Sequence, residues 1–209
     1  MTKPVVAIDI DGTLGDHYEW MVKFAEMWTG HEIKYDVVAG WNGEAKFQFH
    51  KAMGVSKHTY RQIKLAYRQG GMKRSMPCYD GASELTRHLR KLGAEVWITT
   101  SRPYLKLDAI DPDTRHWLRR NRIQFDYMLY GDWKYRDLVR QVDKDRVVAV
   151  LDDLPEMYMQ AVRAGLHPLL IDRPHNEYAD VAWRVGNLHE ALEIMASGVV
   201  AWRELNGGR

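Results

Sequence analysis

A chain of 209 residues, 45 % of them apolar, is long enough to bury a core without staples, as one α/β domain or as a core with a smaller appended module. Thirty Lys and Arg against 28 Asp and Glu leave a formal charge of +2 and no long basic tract, which argues neither for nor against a nucleic-acid partner. A single cysteine, Cys78, excludes an intramolecular disulfide and any multi-cysteine metal site.

The N-terminus, MTKPVVAID, lacks the charged-then-apolar pattern of a secretory signal. Residues 5–9 (VVAID) read as the first strand. Helical patterns follow at 16–28 and 56–69, with no clear strand around them. Roughly eighty residues separate the first strand from the second, far beyond an ordinary connection, so 16–76 reads as a helical cap over the end of the sheet. Within it Trp20, Phe24 and Trp28 have the spacing of a packed helix face. Pro77 and Gly81 mark the return to the core. Residues 81–92 put Leu85, Leu89 and Leu92 on one stripe, and Gly93 stops them.

The second strand is 95–99 (EVWIT), and a helix at 113–121 turns Trp117 and Leu118 inward. Its end carries the densest basic patch, Arg119-Arg120-Asn121-Arg122, where cations suit the helix dipole. The third strand is 126–130 and the fourth 147–151. A helix at 155–164 starts with Pro155 in its first turn and ends before Gly165. The fifth strand, 168–172, is followed by a helix at 187–196 capped by Asn187, with Glu190 three residues on. The tail, 206–209, reads as frayed. No apolar run approaches the length that spans a bilayer, and a lone thiol suits a reducing compartment, so the expectation is a soluble cytoplasmic protein without a membrane partner. Near-continuous apolar strands rich in Val and Ile, alternating with helices, imply an α/β doubly wound parallel sheet. The expected organisation is a core of 1–15 and 77–209 with a cap of 16–76.

Ligands in such sheets bind at the carboxyl ends of the strands. There the first strand offers Asp9, Asp11 and Thr13, and the second offers Thr99, Thr100, Ser101 and Arg102. Lys134 lies a few residues past the third, and Asp152 and Asp153 follow the fourth. Two like charges about 4 Å apart at an effective dielectric near 20 repel by about 4 kcal/mol, so a cation or a proton must sit between them, or the segment is only a turn. Carboxylate oxygens with open positions suit Mg²⁺, while hydroxyls, backbone N–H groups and Lys suit phosphate oxygens. A carboxylate can attack phosphorus to form an aspartyl-phosphate when a metal and Lys134 screen the approaching anions. Arg102 is a candidate phosphate or substrate contact. Each piece alone has a plainer reading, as a turn, a helix cap or a solvated lysine. The ordered set at four strand ends argues against that reading for the whole.

DIDGT at 9–13, the Thr100-Ser101 pair, Lys134 and the Asp152-Asp153 pair resemble the four motifs of the haloacid dehalogenase superfamily of phosphohydrolases, over about residues 4–178. The resemblance implies Asp9 as nucleophile and Asp11 as the acid/base. It implies Mg²⁺ on Asp9, the Asp11 main-chain carbonyl and an Asp of the 152–153 pair, with Thr100 and Lys134 on the phosphoryl group. The blocks MPCYDGASELTRHLRKLGAEVWITTSRP and LIDRPHNEY resemble the 5′(3′)-deoxyribonucleotidases (type C nucleotidases) and their bacterial relatives. That implies a small phosphorylated substrate, a (deoxy)nucleoside monophosphate, whose base stacks on aromatic cap residues. Trp41, beside Gly40 and Gly43, is the candidate here, with His17 near the first motif. The fourth motif departs from these relatives, with Leu154 before Pro155 where they often carry Arg. The alternatives are a phosphatase for another small metabolite or a nucleic-acid end, and a binding protein that kept the fold without turnover. The intact Asp9, Asp11, Lys134 and Asp pair stand against the last.

Overall fold

Six strands form one sheet: β1 (Val5–Ile8), β2 (Glu95–Thr100), β3 (Tyr127–Tyr130), β4 (Val147–Asp152), β5 (Pro168–Ile171) and β6 (Arg184–Val185). Their spatial order is β3-β2-β1-β4-β5-β6 and every pairing is parallel. The computed structural model describes residues 2–41, 47–103 and 106–207. The chain winds outward from β1 to β3, then restarts beside β1 with β4, so the winding reverses between β1 and β4. That reversal opens a crevice at the carboxyl ends of these two strands. Ile8 pairs with Leu151, and the Asp9 N–H donates to the Leu151 carbonyl at 3.0 Å. The pairing thus runs one residue past β1 and sets Asp9 beside Asp152.

Burial on both faces explains the apolar strands. Val6 and Ile8 pack into one cluster with Leu85, Leu89, Trp117 and Met195. These belong to helices α4 (Ala82–Lys91), α5 (Ile110–Arg120) and α8 (Leu188–Asn206). Val5 and Ala7 face the opposite cluster, with Tyr135, Leu138, Val150 and Ala161, beneath α6 (Lys134–Gln141) and α7 (Pro155–Arg163). A third cluster is built from Met21, Ala25, Phe49, Met53, Ile63 and Tyr67. It lies among α1 (His17–Thr29), the short α2 (Phe49–Ala52) and α3 (Lys57–Gln69). Asp16 caps α1 through the Glu19 N–H at 3.3 Å, and Ser56 caps α3 through the Thr59 N–H at 3.0 Å. No strand forms among the described residues of 16–76.

Several elements differ from the sequence expectation. The strand β6 has only two residues and no apolar run, and it forms because Leu170 and Asp172 donate to Trp183 and Val185 at 3.0 and 2.8 Å. An Arg184–Asp172 ion pair at 2.7 Å fastens it. Helix α8 runs to Asn206, through Gly198, because Met195 and Val199 continue its buried stripe. It carries the expected frayed tail into helix as far as Asn206, while residues 208–209 lie outside the described set. Helix α5 starts at Ile110, earlier than expected, with Pro112 tolerated in its first turn. Helix α6 buries only Tyr135 and Leu138 besides Lys134, too sparse a pattern to read unaided. Trp28, expected to pack, is 46 % exposed. No helix among the described residues is long and apolar enough to cross a membrane.

Trp117 is fully buried, its ring presses on Gly15, and its indole N–H donates to the Met76 carbonyl at 2.6 Å. It therefore pins the segment returning from the helices to the core. Trp117→Ala is expected to cost about 3–5 kcal/mol in urea unfolding. A loss within experimental error of zero would show that the return segment needs no such pin.

Candidate active site

Asp152 ends β4 and Asp153 follows it, facing Asp9 across the crevice. Asp9, Asp152 and Asp153 are buried and each places an oxygen within 4.8 Å of the others. Lys134, the first residue of α6, is 1 % exposed and reaches into this cluster. Its Nζ contacts Asp9 Oδ1, lies 2.7 Å from Asp152 Oδ2 and donates to the Thr99 carbonyl at 3.4 Å. The Tyr135 hydroxyl donates to Asp152 Oδ2, and the Leu154 N–H donates to Asp152 Oδ1 at 3.0 Å. Gln160 steadies the base of α6, accepting from the Tyr135 N–H and donating to the Asp132 carbonyl, each at 3.0 Å.

Two of the three carboxylates, Asp9 and Asp152, share one ammonium here, while Asp153 faces His175 at 2.7 Å. Burial raises the Asp9 carboxyl well above its ordinary range; Lys134 opposes this, and the charges of Asp152 and Asp153 add to it. Asp152 is raised for the same reasons, burial first, against Lys134. Burial would lower Lys134, but Asp152 and Asp9 reverse the direction and hold it protonated. A set of hard oxygen donors with excess negative charge fits a small divalent cation such as Mg²⁺.

Gly12 is the residue the crevice tolerates between Asp11 and Thr13. Its φ is +91°, and a Cβ there would stand 2.1 Å from Asp153 Oδ2. The Thr13 hydroxyl donates to the other Asp153 oxygen at 3.3 Å.

Asp11 belongs to a separate ionic group on the flank. Arg102 grips both its oxygens, with Nε donating to Oδ2 at 3.1 Å and Nη2 to Oδ1. Lys73 contacts Oδ2 as well. Burial alone would raise the Asp11 carboxyl, but Arg102 and Lys73 prevail and hold it well below the usual carboxylate range. The Arg102 Nη1 donates to the Thr114 hydroxyl at 2.8 Å, which fixes the fork in place. Burial, then the Arg102 charge, pushes Lys73 down to about 7 against the pull of Asp11. His17 is kept neutral, lowered by burial and next by Lys73.

These groups open on one cavity of about 220 Å³. Asp9, Asp11, Thr100, Ser101, Arg102 and Lys134 line its lower part, and His17 lines it above, while Asp152 and Asp153 lie fully buried beneath. Its upper wall includes Tyr18, Phe47, Phe49 and Tyr60, and α3 adds Lys64 and Arg68. Trp41 stands next door, in a groove of about 790 Å³ with Val38, Met159 and Tyr178. Its ring centroid is 5.6 Å from that of Phe47 and 6.0 Å from that of Tyr178. The two hollows meet at Glu156, which lines both. Gly43, read beside Trp41, lies outside the described residues. The sequence reading missed Lys73, whose turn carries no motif. It also missed the Tyr60, Lys64 and Arg68 face of α3, although a four-residue spacing marks it.

The chain matches the family model described as 5′ nucleotidase, deoxy (pyrimidine), cytosolic type C protein over residues 3–203. No curated protein sequence matches it significantly. Among solved structures it is similar to a haloacid dehalogenase (HAD) family hydrolase from Deinococcus radiodurans R1, with bound phosphate and sodium. That likeness has a TM-score of 0.63 at 15 % identity and covers 94 % of this chain and 96 % of the other. A haloacid dehalogenase-like family hydrolase from Streptococcus pneumoniae gives a TM-score of 0.61 at 15 % identity, covering 91 % and 97 %. At such identities the likeness is one of fold.

Lys134 is the cation inside the carboxylate cluster, so its removal leaves Asp9 and Asp152 buried without a paired cation. Lys134→Met is expected to destabilise the protein in EDTA by about 3–5 kcal/mol, read from urea unfolding. Unchanged stability would mean that the cluster carries protons rather than charge.

Proposed function

The chain belongs to the type C 5′-nucleotidase family, and on that premise we propose that it hydrolyses (deoxy)nucleoside monophosphates with Mg²⁺, through an aspartyl-phosphate on Asp9. As a member it is a phosphatase of the haloacid dehalogenase superfamily. The observation that carries the finer reading is one cavity with Asp9, Thr100 and Lys134 at its floor and aromatic rings on its upper wall. The floor suits a phosphoryl group and the rings suit a nucleobase. The family description, deoxy and pyrimidine, favours that base and sugar.

Asp9, an oxygen of the Asp152-Asp153 pair and the Asp11 main-chain carbonyl would hold the metal. Bound Mg²⁺ would neutralise phosphoryl charge and screen the carboxylate from it. An Asp9 oxygen then attacks phosphorus in line, and the ester P–O bond breaks. Thr100, Ser101 and Lys134 hold the phosphoryl oxygens and stabilise the charge they gain. Asp11 gives a proton to the leaving alkoxide, then takes one from the water that attacks phosphorus and frees Asp9. In the structure Asp11 is held ionised by Arg102 and Lys73. A phosphoryl anion bound beside Asp11 offsets the charge of these cations, and with burial it drives the carboxyl back up and lets it carry the proton. We further take residues 16–76 as a cap that closes the base over the sheet, with Trp41 reached by a larger base through the neighbouring groove. Cys78, pushed up to about 11 by burial, is an inert thiol suited to the cytoplasm.

Phosphate release from an aryl phosphate and from a panel of deoxy- and ribonucleotides tests the reading. Turnover is expected with Mg²⁺, to vanish in EDTA, and to favour nucleotides over sugar phosphates. Asp9→Asn is expected to abolish it in a folded protein. Near wild-type turnover in that variant would remove Asp9 as nucleophile, and a preference for sugar phosphates would move the substrate to another small metabolite. For the base contact, Trp41→Ala and Phe49→Ala are expected to raise KM for nucleotides more than for the aryl phosphate. Equal effects on both substrates would end the stacking idea.

A further inference from the structure

Resting on the metal reading above, we propose that the turn at 173–176 clamps the metal centre, with His175 the positioning residue that orients Asp153 and ties it to Tyr18 of α1. The turn follows β5 and lies outside the four motifs that carry the chemistry. It reaches three parts of the site at once. The Arg173 Nε donates to the Gly12 carbonyl at 2.6 Å, and its Nη2 donates to the Thr13 carbonyl at 3.2 Å. Asn176 Nδ2 donates to the Asp153 carbonyl at 2.7 Å and to the Ile171 carbonyl at 2.8 Å. His175, 2 % exposed, places Nε2 2.7 Å from Asp153 Oδ2.

Those last two atoms are buried and neither makes a hydrogen bond among the described residues, so the 2.7 Å approach is the one polar contact that the fold gives either of them. A carboxylate that must point at a cation can rotate about its Cβ–Cγ bond, and an outer partner on one oxygen stops that rotation. Here Thr13 holds Oδ1 and His175 faces Oδ2, so both oxygens are set. An apolar ring in place of His175 would remove that contact and leave the buried Oδ2 with no polar neighbour from this turn.

The imidazole is in turn held from the helical segment. Its centroid lies 4.1 Å from that of Tyr18, at an interplanar angle of 37°, and 5.6 Å from that of Phe47. Tyr18 and Phe47 line the catalytic cavity, whereas His175 stands behind it. The side chain that orients an expected metal ligand is thus packed against the rings proposed to meet the base. Metal affinity and the position of α1 are coupled through one ring.

The test is Mg²⁺ binding to the full chain, by calorimetric titration and by the rise of Tm with Mg²⁺, without substrate. His175→Phe keeps a ring against Tyr18 and removes the polar contact, and is expected to weaken Mg²⁺ binding about 10–100-fold. His175→Gln, which can still reach Asp153, is expected to recover most of the affinity, and His175→Asn, which is too short, is not. The Gln and Asn pair carries the test if the Phe variant fails to fold. Tyr18→Leu is expected to give a smaller, severalfold loss. Wild-type affinity in both His175→Phe and His175→Asn would overturn the clamp, and wild-type affinity in Tyr18→Leu would overturn the tie to α1. A wild-type chain that takes up no Mg²⁺ would instead sink the metal reading on which the clamp rests.

Discussion

Three buried carboxylates forced together by strand pairing set the terms for the rest of this molecule. The parallel register of β1 with β4 aligns Ile8 with Leu151, so the next residues, Asp9 and Asp152, meet where the sheet reverses direction. Asp153 completes the cluster from the following turn. No arrangement of apolar side chains could balance such charge; it needs cations or protons. Lys134 supplies one positive charge from α6, Tyr135 and Leu154 supply hydrogen bonds, and burial pushes Asp9 and Asp152 toward the protonated form. A stability defect of this kind suits a site whose proposed work is to take up a divalent ion and a phosphoryl group.

The flank resolves the same problem differently. Asp11 is one carboxylate with two cations on it, Arg102 and Lys73, and so stays ionised despite its burial. Floor and flank have opposite imbalances, negative below and positive beside, across a single cavity. A phosphomonoester with a metal would satisfy both, the metal on the floor and the phosphoryl oxygens toward the flank. Lys73 comes from the turn that returns the helical segment to the core, and Trp20 and Trp117 pin that turn through the Met72 and Met76 carbonyls at 3.0 and 2.6 Å. The charge on Asp11 is therefore connected to the placement of 16–76 as well as to the sheet.

Much of the fold was legible before any coordinates. Strands β1 to β5 are short apolar runs bounded by turn residues, and a buried parallel strand writes that pattern directly into the chain. The strand β6 was illegible because its order comes from hydrogen bonds to β5 and from Arg184, with no apolar run of its own. Helix α6 was illegible because it buries few apolar side chains, its first residue being the lysine in the carboxylate cluster. At the site, Asp9, Asp11, Thr100, Arg102, Lys134 and the Asp152-Asp153 pair could be named because each stands at a strand end or within a few residues of one, where position along the chain and position in space nearly coincide. Lys73 and Phe49 could not, since each reaches the site from a turn or a helix whose path no local pattern reveals, and the spacing around Arg68 and the block holding His175 do not say which residues these two meet.

The sequence by itself determined the alternation of strand and helix, the long helical excursion after β1 and the acidic, hydroxyl and lysine residues at successive strand ends. Periodicity, glycine and proline placement and local charge are short-range properties, and they survive in a linear string. Only the tertiary structure decided which charges are neighbours: that Lys134 sits between Asp9 and Asp152, that Arg102 and Lys73 converge on Asp11, that His175 faces Asp153, and that Trp41 lines the adjoining groove. These contacts join residues far apart in sequence, and their energies depend on distance and burial, which are fixed when sheet, helices and turns pack together.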